Sequence, residues 1–193
     1  MRAIGERINL YMVERLGVNP EEVSRERDKL LKTFGTTLNA IRRFHAVDPD
    51  EYLNFVHDLP LDRYLQYESA LDRMLGTLKL SKVIFTNADA RHARRVLSLL
   101  GILRHFESII DIHMLDFINK PDRRAYIKAL DFISAKPEEC ILVEDLPVNI
   151  VPAGELGMTT VIVGEGNKTN GAHYHIERIT DFENLLSSIQ KNT

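Results

Sequence analysis

Five polar residues of this chain have side chains suited to phosphate and metal chemistry, and they follow short apolar segments. They are Thr86 and Asn87, Lys120, and the adjacent pair Glu144 and Asp145. Two neighbouring carboxylates suit a hard cation such as Mg²⁺. A hydroxyl group and an ammonium group bind phosphate oxygens. Together these groups could bind a phosphoryl group and a metal ion that neutralises its charge.

The apolar segments ahead of these residues are typical of short buried strands. We predict four strands, at Val83–Phe85, Ser108–Ile110, Ile141–Val143 and Thr160–Val163. Helical patterns separate them, and this alternation predicts an α/β fold with one parallel sheet covered on both faces. The carboxyl ends of parallel strands lie at one edge of a sheet, so the five polar residues are expected to share a crevice there.

The first 65 residues favour helices only. Apolar residues recur at helical spacing, Gly17 and Gly35 are expected to end helices, and Asn19-Pro20 is typical of a helix start. Thr36-Thr37 is expected to precede a third helix, and Asp48-Pro49 a fourth. We therefore predict an all-helical domain over residues 1–65 and an α/β domain over residues 66–193. The segment from Gly164 to Gly171 is glycine-rich and polar, and we predict a loop there.

Composition narrows the class of protein. The 193 residues include 25 Lys and Arg and 28 Asp and Glu, for a net charge of −3, which argues against a nucleic acid or a membrane surface as partner. One cysteine, Cys140, excludes an internal disulfide framework, and we expect its thiol to be buried. The chain has no apolar run of the length found in a signal peptide or a membrane span, so we predict a cytoplasmic protein.

Other chemically suggestive residues have simpler explanations. Asp48-Pro49-Asp50 is the one Asp-x-Asp in the chain, and a helix cap explains it. His57 and Asp58 suggest a base and its orienting group, but no nucleophile accompanies them, so we expect a pair at the surface or the rim of the helical domain. His173 and His175 lack a third metal ligand, which disfavours a metal site there.

The chain resembles the haloacid dehalogenase-like hydrolase superfamily. An apolar strand ending in Thr or Ser, a Lys usually followed by Pro, and an acidic pair after an apolar strand are three motifs of that family. Their matches here are Val83–Asn87, Lys120-Pro121 and Val143–Asp145, followed by Asn149 and Gly154 in the next helix. The segments Phe34–Thr37 and Phe85–Asp89 resemble sequences of the pyrimidine 5′-nucleotidase-like branch.

The resemblance implies a fold, a cofactor and an activity. The fold is a Rossmann-like core with an N-terminal helical cap that selects the substrate, and the activity is a Mg²⁺-dependent phosphomonoesterase acting on nucleotide monophosphates or other small phosphorylated metabolites. Thr86 and Asn87 would bind phosphoryl oxygens, Lys120 would neutralise the nucleophile and the phosphate, and Glu144 with Asp145 would hold Mg²⁺. Arg42, Arg43 and Thr36-Thr37 are candidates for substrate selection.

One motif of the family has no match. Its members attack phosphorus with an aspartate in an Asp-x-Asp-x-Thr motif at the end of a first core strand, ahead of the cap. That strand lies between the strands predicted here at Val83–Phe85 and Ile141–Val143. We therefore hypothesise that this chain is an N-terminally truncated form without the nucleophile, inactive or nearly so alone, whose full form starts about 15 to 25 residues earlier.

Two other functions remain open at this stage. A non-catalytic protein could have kept the phosphate crevice and lost the chemistry, since lysine and threonine contacts of roughly 1.5–3 kcal/mol each would still retain a phosphate weakly. A phosphonatase or a dehalogenase could use the same scaffold. Such an enzyme would need its own residues near the nucleophile or in the cap, and the sequence does not identify them.

Overall fold

The computed structural model describes residues 2–166 and 171–191 and has an α/β fold. Its helices are α1 (Arg2–Leu16), α2 (Val23–Phe34), α3 (Thr37–Phe44), α4 (Pro49–His57), α5 (Ser69–Thr77), α6 (Ala90–Leu99), α7 (Arg123–Ile133), α8 (Pro147–Glu155) and α9 (Phe182–Lys191). Its strands are β1 (Val83–Phe85), β2 (Ser108–Ile110), β3 (Ile141–Glu144), β4 (Thr159–Val163) and β5 (Tyr174–Ile176).

The first four helices pack around a core that includes Tyr11, Met12, Ile41, Tyr52 and Val56, and Ile112 from the segment after β2 belongs to the same cluster. Side chains fix two of the helix starts, because Thr36 accepts a hydrogen bond from the N–H of Asn39 and Asp48 accepts one from the N–H of Asp50. The cap interpretation of Asp48 is thus confirmed. The predicted start of α2 at Pro20 is wrong, since residues 20–22 form a turn and the helix begins at Val23.

The strands form two separate parallel sheets, where the sequence predicted one. β1 pairs with β2, and β3 pairs with β4, which pairs with β5. Within the described residues, β1 and β3 therefore each have one edge without a strand partner. The two sheets still share a core, because Val83 and Phe85 of β1 pack on the same cluster as Leu142 of β3 and Ile162 of β4.

Two further expectations differ from the structure. β5 was not among the four predicted strands, and it extends the second sheet beyond β4. Cys140 is partly exposed rather than buried. Residues 167–170 of the predicted loop lie outside the described residues. No helix in the described ranges is long and apolar enough to cross a lipid bilayer.

A buried histidine pair lies where α4, in the predicted helical domain, meets α6, in the predicted α/β domain. His57 at the end of α4 is 6% exposed, and its Nδ1 lies 2.5 Å from Oδ2 of Asp89, the residue that caps α6. The ring of His57 stacks on that of His92, with 4.0 Å between centroids. Of the two expected locations, the surface is wrong for His57, which is buried where α4 meets α6, while Asp58 is exposed.

His92 should make the stability of the protein depend on pH. Burial, and then the nearby His57, lower the pKa of His92 from 6.5 to about 4, and Nδ1 of His92 has no hydrogen-bond partner in the described structure. A neutral His92 is thus favoured in the folded state. Stability that is complete above pH 6.5 should be lost as the pH falls toward 4, by an amount on the order of 2 kcal/mol.

Chemical denaturation at several pH values tests this expectation. His92→Phe keeps an aromatic ring against His57 but removes the titration, so its stability should decline less between pH 6.5 and 4 than that of the wild type. His45→Gln changes an exposed histidine and serves as the control. Equal pH dependence in the wild type and His92→Phe would contradict the assignment.

Candidate functional site

The Lys120 ammonium group lies between the carboxyl ends of β1 and β3. Its Nζ donates to the backbone carbonyl of Phe85 at 3.0 Å and to Oε2 of Glu144 at 2.7 Å. Both charged side chains are nearly buried, with exposed fractions of 10% for Lys120 and 8% for Glu144. The structure therefore brings the predicted lysine and the first predicted carboxylate into direct contact, next to the strand end that carries Thr86.

Asn87 holds the backbone of Lys120 rather than pointing its amide into open space. Its Oδ1 accepts from the N–H of Lys120 at 2.8 Å, and its Nδ2 donates to the carbonyl of Lys120 at 3.0 Å. This two-point contact fixes the loop after β2 against the end of β1. The resemblance implied that Asn87 binds phosphate. That role remains a prediction, and the observed contact is with Lys120.

Thr86 is placed to present its hydroxyl group at the end of β1. Its N–H donates to the carbonyl of Ile110 in the first sheet, and its Oγ1 accepts from the N–H of Ala88 at 3.1 Å. Accepting that hydrogen bond leaves the hydroxyl proton of Thr86 for an anion. Thr86 is bonded to Phe85, whose carbonyl binds the Lys120 ammonium, so the backbone of Thr86 lies next to the ammonium.

Glu144 and Asp145 have different surroundings. Burial would raise the pKa of Glu144, but the Lys120 charge and hydrogen bonds from Lys120 and the Leu146 N–H hold that pKa below its ordinary value. The hydrogen bond with Glu144, and then the partial desolvation of this largely exposed side chain and the Glu144 charge, raise the pKa of the Asp145 carboxyl. Two acidic groups this close disfavour a second negative charge, which a bound cation would compensate.

The donor set fits a Mg²⁺ ion that is held partly by a substrate. Oε1 of Glu144 accepts from the N–H groups of Asp145 and Leu146, and its Oε2 pairs with Lys120, so the exposed Asp145 is the more available carboxylate. Magnesium is commonly bound by one or two carboxylates together with phosphate oxygens and water. No group of three or more His, Cys, Asp or Glu side chains in residues 2–166 and 171–191 could hold a metal by itself.

The remaining candidates have contacts away from this crevice. Nδ1 of His173 accepts from the N–H of Thr160, and Nε2 of His175 lies 2.7 Å from the carbonyl of Gly164. Two open cavities, of about 590 and 740 Å³, are lined by residues of α4, α6 and neighbouring segments, and none of the five candidate residues lines either of them. The crevice at Lys120 is thus separate from both cavities.

One neighbour of Lys120 was missed by the sequence analysis. Asn119 is 5% exposed and donates from Nδ2 to the carbonyl of Lys120 at 2.7 Å. Its position directly before a candidate lysine was the available signal. Its hydrogen-bond partner in the helical domain, Asn39, lies 80 residues away, and no sequence pattern pointed to that contact.

A comparison with protein families gives a match over most of the chain. A family model described as haloacid dehalogenase-like hydrolase matches residues 10–157, which is more than half of the chain. The chain belongs to the haloacid dehalogenase-like hydrolase family. The expected superfamily is confirmed, and so is the α/β fold of Rossmann type. The pyrimidine 5′-nucleotidase-like branch remains a prediction.

Curated relatives of this haloacid dehalogenase-like chain cover it in part. It is 28% identical over 169 residues to Phosphate metabolism protein 8 of Saccharomyces cerevisiae, a match that covers 80% of this chain and 52% of that protein. It is 29% identical over 112 residues to Beta-phosphoglucomutase of Bacillus subtilis, which covers 58% of this chain and 49% of that protein. The aligned parts therefore make up about half the length of each relative.

Solved structures share the fold. A HAD phosphatase from Thermococcus onnurineus matches with a TM-score of 0.65 and 18% identity, covering 96% of this chain and 89% of that one. Beta-phosphoglucomutase from Clostridium difficile matches with a TM-score of 0.65 and 16% identity, covering 98% and 92%. At these identities the similarity shows that the haloacid dehalogenase-like fold is common to all three chains.

The buried pair of Lys120 and Glu144 should dominate the stability of the crevice. Lys120→Met keeps most of the side-chain volume but leaves the Glu144 carboxylate buried without its partner, so it should destabilise the protein by about 3–5 kcal/mol. The double variant Lys120→Met with Glu144→Gln removes both charges and should recover much of that loss. Urea denaturation of the wild type, the single variant and the double variant measures their free energies of unfolding.

An exposed ion pair provides the matched control. Arg25 and Glu22 lie 2.7 Å apart on the surface of the helical domain, so Arg25→Met should change the free energy of unfolding by less than about 1 kcal/mol. A Lys120→Met protein as stable as Arg25→Met would show that the buried pair does not hold the two sheets together.

Proposed function

We propose that this chain supplies the phosphate-binding and metal-binding groups of a Mg²⁺-dependent phosphoric monoester hydrolase. Its substrate would be a small phosphorylated metabolite, most specifically a nucleotide monophosphate. The observation that supports this best is the contact of the Lys120 ammonium with both the Phe85 carbonyl and the Glu144 carboxylate. A hydroxyl, an ammonium and a carboxylate pair then belong to one small neighbourhood, which suits a phosphoryl group.

Each residue has a distinct task in the proposed reaction. The hydroxyl of Thr86 donates to a phosphoryl oxygen, and Lys120 is the catalytic cation that offsets the negative charge of phosphate and nucleophile. Asn87 contributes by fixing the Lys120 backbone, and Glu144 orients the Lys120 ammonium. Asp145, with Glu144 behind it, would hold Mg²⁺, which supplies charge neutralisation at the phosphate.

The nucleophile of this reaction is proposed to lie on a strand between β1 and β3. Both strands have an unpaired edge in the described residues, and Lys120 contacts the carboxyl ends of both. An additional parallel strand there would pair the two edges and deliver a terminal carboxylate to the ammonium. In the proposal, sequence ahead of residue 1 supplies this strand with an Asp-x-Asp-x-Thr motif, and the present chain alone is inactive.

The relatives support phosphate chemistry by their names alone. Phosphate metabolism protein 8, Beta-phosphoglucomutase and Putative pyrophosphatase PpaX, the last from Caldanaerobacter subterraneus, are all similar to parts of this chain. The narrower proposal of a nucleotide rests on the resemblance of Phe85–Asp89 to the pyrimidine 5′-nucleotidase-like branch. A non-catalytic phosphate-binding protein is the alternative, and it is favoured by the completeness of the Lys120 contacts without a nucleophile.

Measurement of phosphate release distinguishes a phosphatase from a non-catalytic phosphate-binding protein. A longer form that includes about 15 to 25 residues encoded ahead of residue 1 should hydrolyse nucleoside monophosphates in the presence of Mg²⁺, and chelation of the metal should abolish the activity. The present chain should be slower by at least about a thousandfold, because it lacks covalent catalysis. A panel of nucleotides and sugar phosphates would establish the substrate class.

Two results would contradict the proposal. Equal rates for the short and the long form would place the nucleophile within the present chain. A longer form that binds phosphate but hydrolyses no ester would favour the non-catalytic alternative. Thr86→Val in the longer form, with the exposed Thr33→Val as its control, should lower phosphatase activity if the hydroxyl binds the transferred phosphoryl group.

A further inference from the structure

The backbone of Lys120 is held by two asparagine amides, and one of them leads to the helical domain. The carbonyl of Lys120 accepts from Nδ2 of Asn87 at 3.0 Å and from Nδ2 of Asn119 at 2.7 Å. Asn119 is buried, so water does not readily replace a hydrogen bond that it loses. Asn87 belongs to the α/β domain. Whether the hydrogen bond from Asn119 to Lys120 also depends on that domain alone is determined by the residues that contact Asn119.

Asn119 is oriented by Asn39, a residue of α3 in the helical domain. Nδ2 of Asn39 donates to Oδ1 of Asn119 and, at 2.8 Å, to the carbonyl of Phe117. The N–H of Asn39 in turn donates to Oγ1 of Thr36, the residue that caps α3. An amide has one acceptor end and one donor end, so the bond from Asn39 turns the Nδ2 of Asn119 toward Lys120.

The turn before α3 packs against the same loop without space for a side chain. A Cβ atom on Gly35 would lie 2.4 Å from Nδ2 of Asn119 and 3.3 Å from the carbonyl oxygen of Lys120. Gly35 also has a φ of +75°, which favours glycine. Gly17 has nearly the same φ, +70°, but nothing within 4 Å of a Cβ atom. The close approach is therefore specific to the turn at Gly35.

We propose that Asn39 and Asn119 are positioning residues that make the placement of Lys120 depend on the docking of the helical domain. When α3 is in place, Asn119 donates to the Lys120 carbonyl and the ammonium stays between β1 and β3. When α3 moves away, Asn119 loses the bond that orients it, and the backbone of Lys120 keeps only the contacts to Asn87. The catalytic importance of Lys120 rests on the proposed function, but the coupling itself does not.

Chemical labelling of Lys120 tests the coupling directly. An amine-reactive acetylating reagent, followed by mass spectrometry, reports how often the buried ammonium becomes accessible. Asn39→Ala and Asn119→Ala should each increase the labelling rate of Lys120 about five- to tenfold, the change expected for the loss of one buried hydrogen bond. Lys82, a partly exposed lysine that donates to the carbonyls of Leu78 and Leu80, is the internal reference for the reactivity of the reagent.

Two control variants separate positioning from a general loss of stability. Asn54→Ala removes a different contact between the domains, from Arg91 to the Asn54 side chain, and should leave Lys120 labelling unchanged. Gly35→Ala should increase the labelling rate through the clash with Asn119, whereas Gly17→Ala, with the same backbone strain, should not. A double variant of Asn39 and Asn119 should label no faster than Asn119→Ala alone.

Three outcomes would overturn the inference. They are an unchanged Lys120 labelling rate in Asn39→Ala, an equal rise in Asn54→Ala, and fully additive effects of the two asparagine substitutions. Binding of inorganic phosphate, measured in parallel by calorimetry, tests the proposed function separately. A wild-type chain that binds no phosphate would refute that function, while the labelling rates would still decide the coupling.

Discussion

The ion pair between Lys120 and Glu144 is the interaction on which the rest of the site depends. It connects the carboxyl ends of two sheets that share no hydrogen-bonded strands in the described residues. The same ammonium binds the Phe85 carbonyl, so one side chain sets the distance between β1 and β3. Burying these charges is favourable only with close geometry and further hydrogen bonds, and the backbone N–H groups of Asp145 and Leu146 supply them at Glu144.

The fold places this ion pair at the candidate functional site. Parallel strands bring their carboxyl ends to one edge of a sheet, and in this haloacid dehalogenase-like chain Lys120 contacts the Phe85 carbonyl and the Glu144 carboxylate at such strand ends. The helical domain reaches the same edge through α3, and Asn39 links that helix to the loop that carries Lys120. The helical domain and the loop that carries Lys120 therefore meet at one short segment, and under the proposed function a small displacement there would move the cation that the chemistry needs.

The local pattern of apolar and polar residues in the sequence predicted most of this fold. The bounds of β1 and β2 agree with the prediction because short apolar segments flanked by polar residues define both strands. The contact between Lys120 and Glu144 was also predicted correctly, because the carboxyl ends of parallel strands lie close together. Features that depend on distant partners were not predictable. The burial of His57 depends on Asp89, 32 residues later, and the division into two sheets depends on strand pairing that no local pattern encodes. β5 is only three residues long and contains the polar His175.

The most direct test of the account is a crystal structure of the chain with Mg²⁺ and tungstate, an oxyanion that resembles phosphate. We expect tungstate at the end of β1, within hydrogen-bond distance of the Thr86 hydroxyl and the Lys120 ammonium, with Mg²⁺ on the side of Asp145. Ions bound only elsewhere on the surface, with Lys120 turned away from Glu144 and β1, would contradict it.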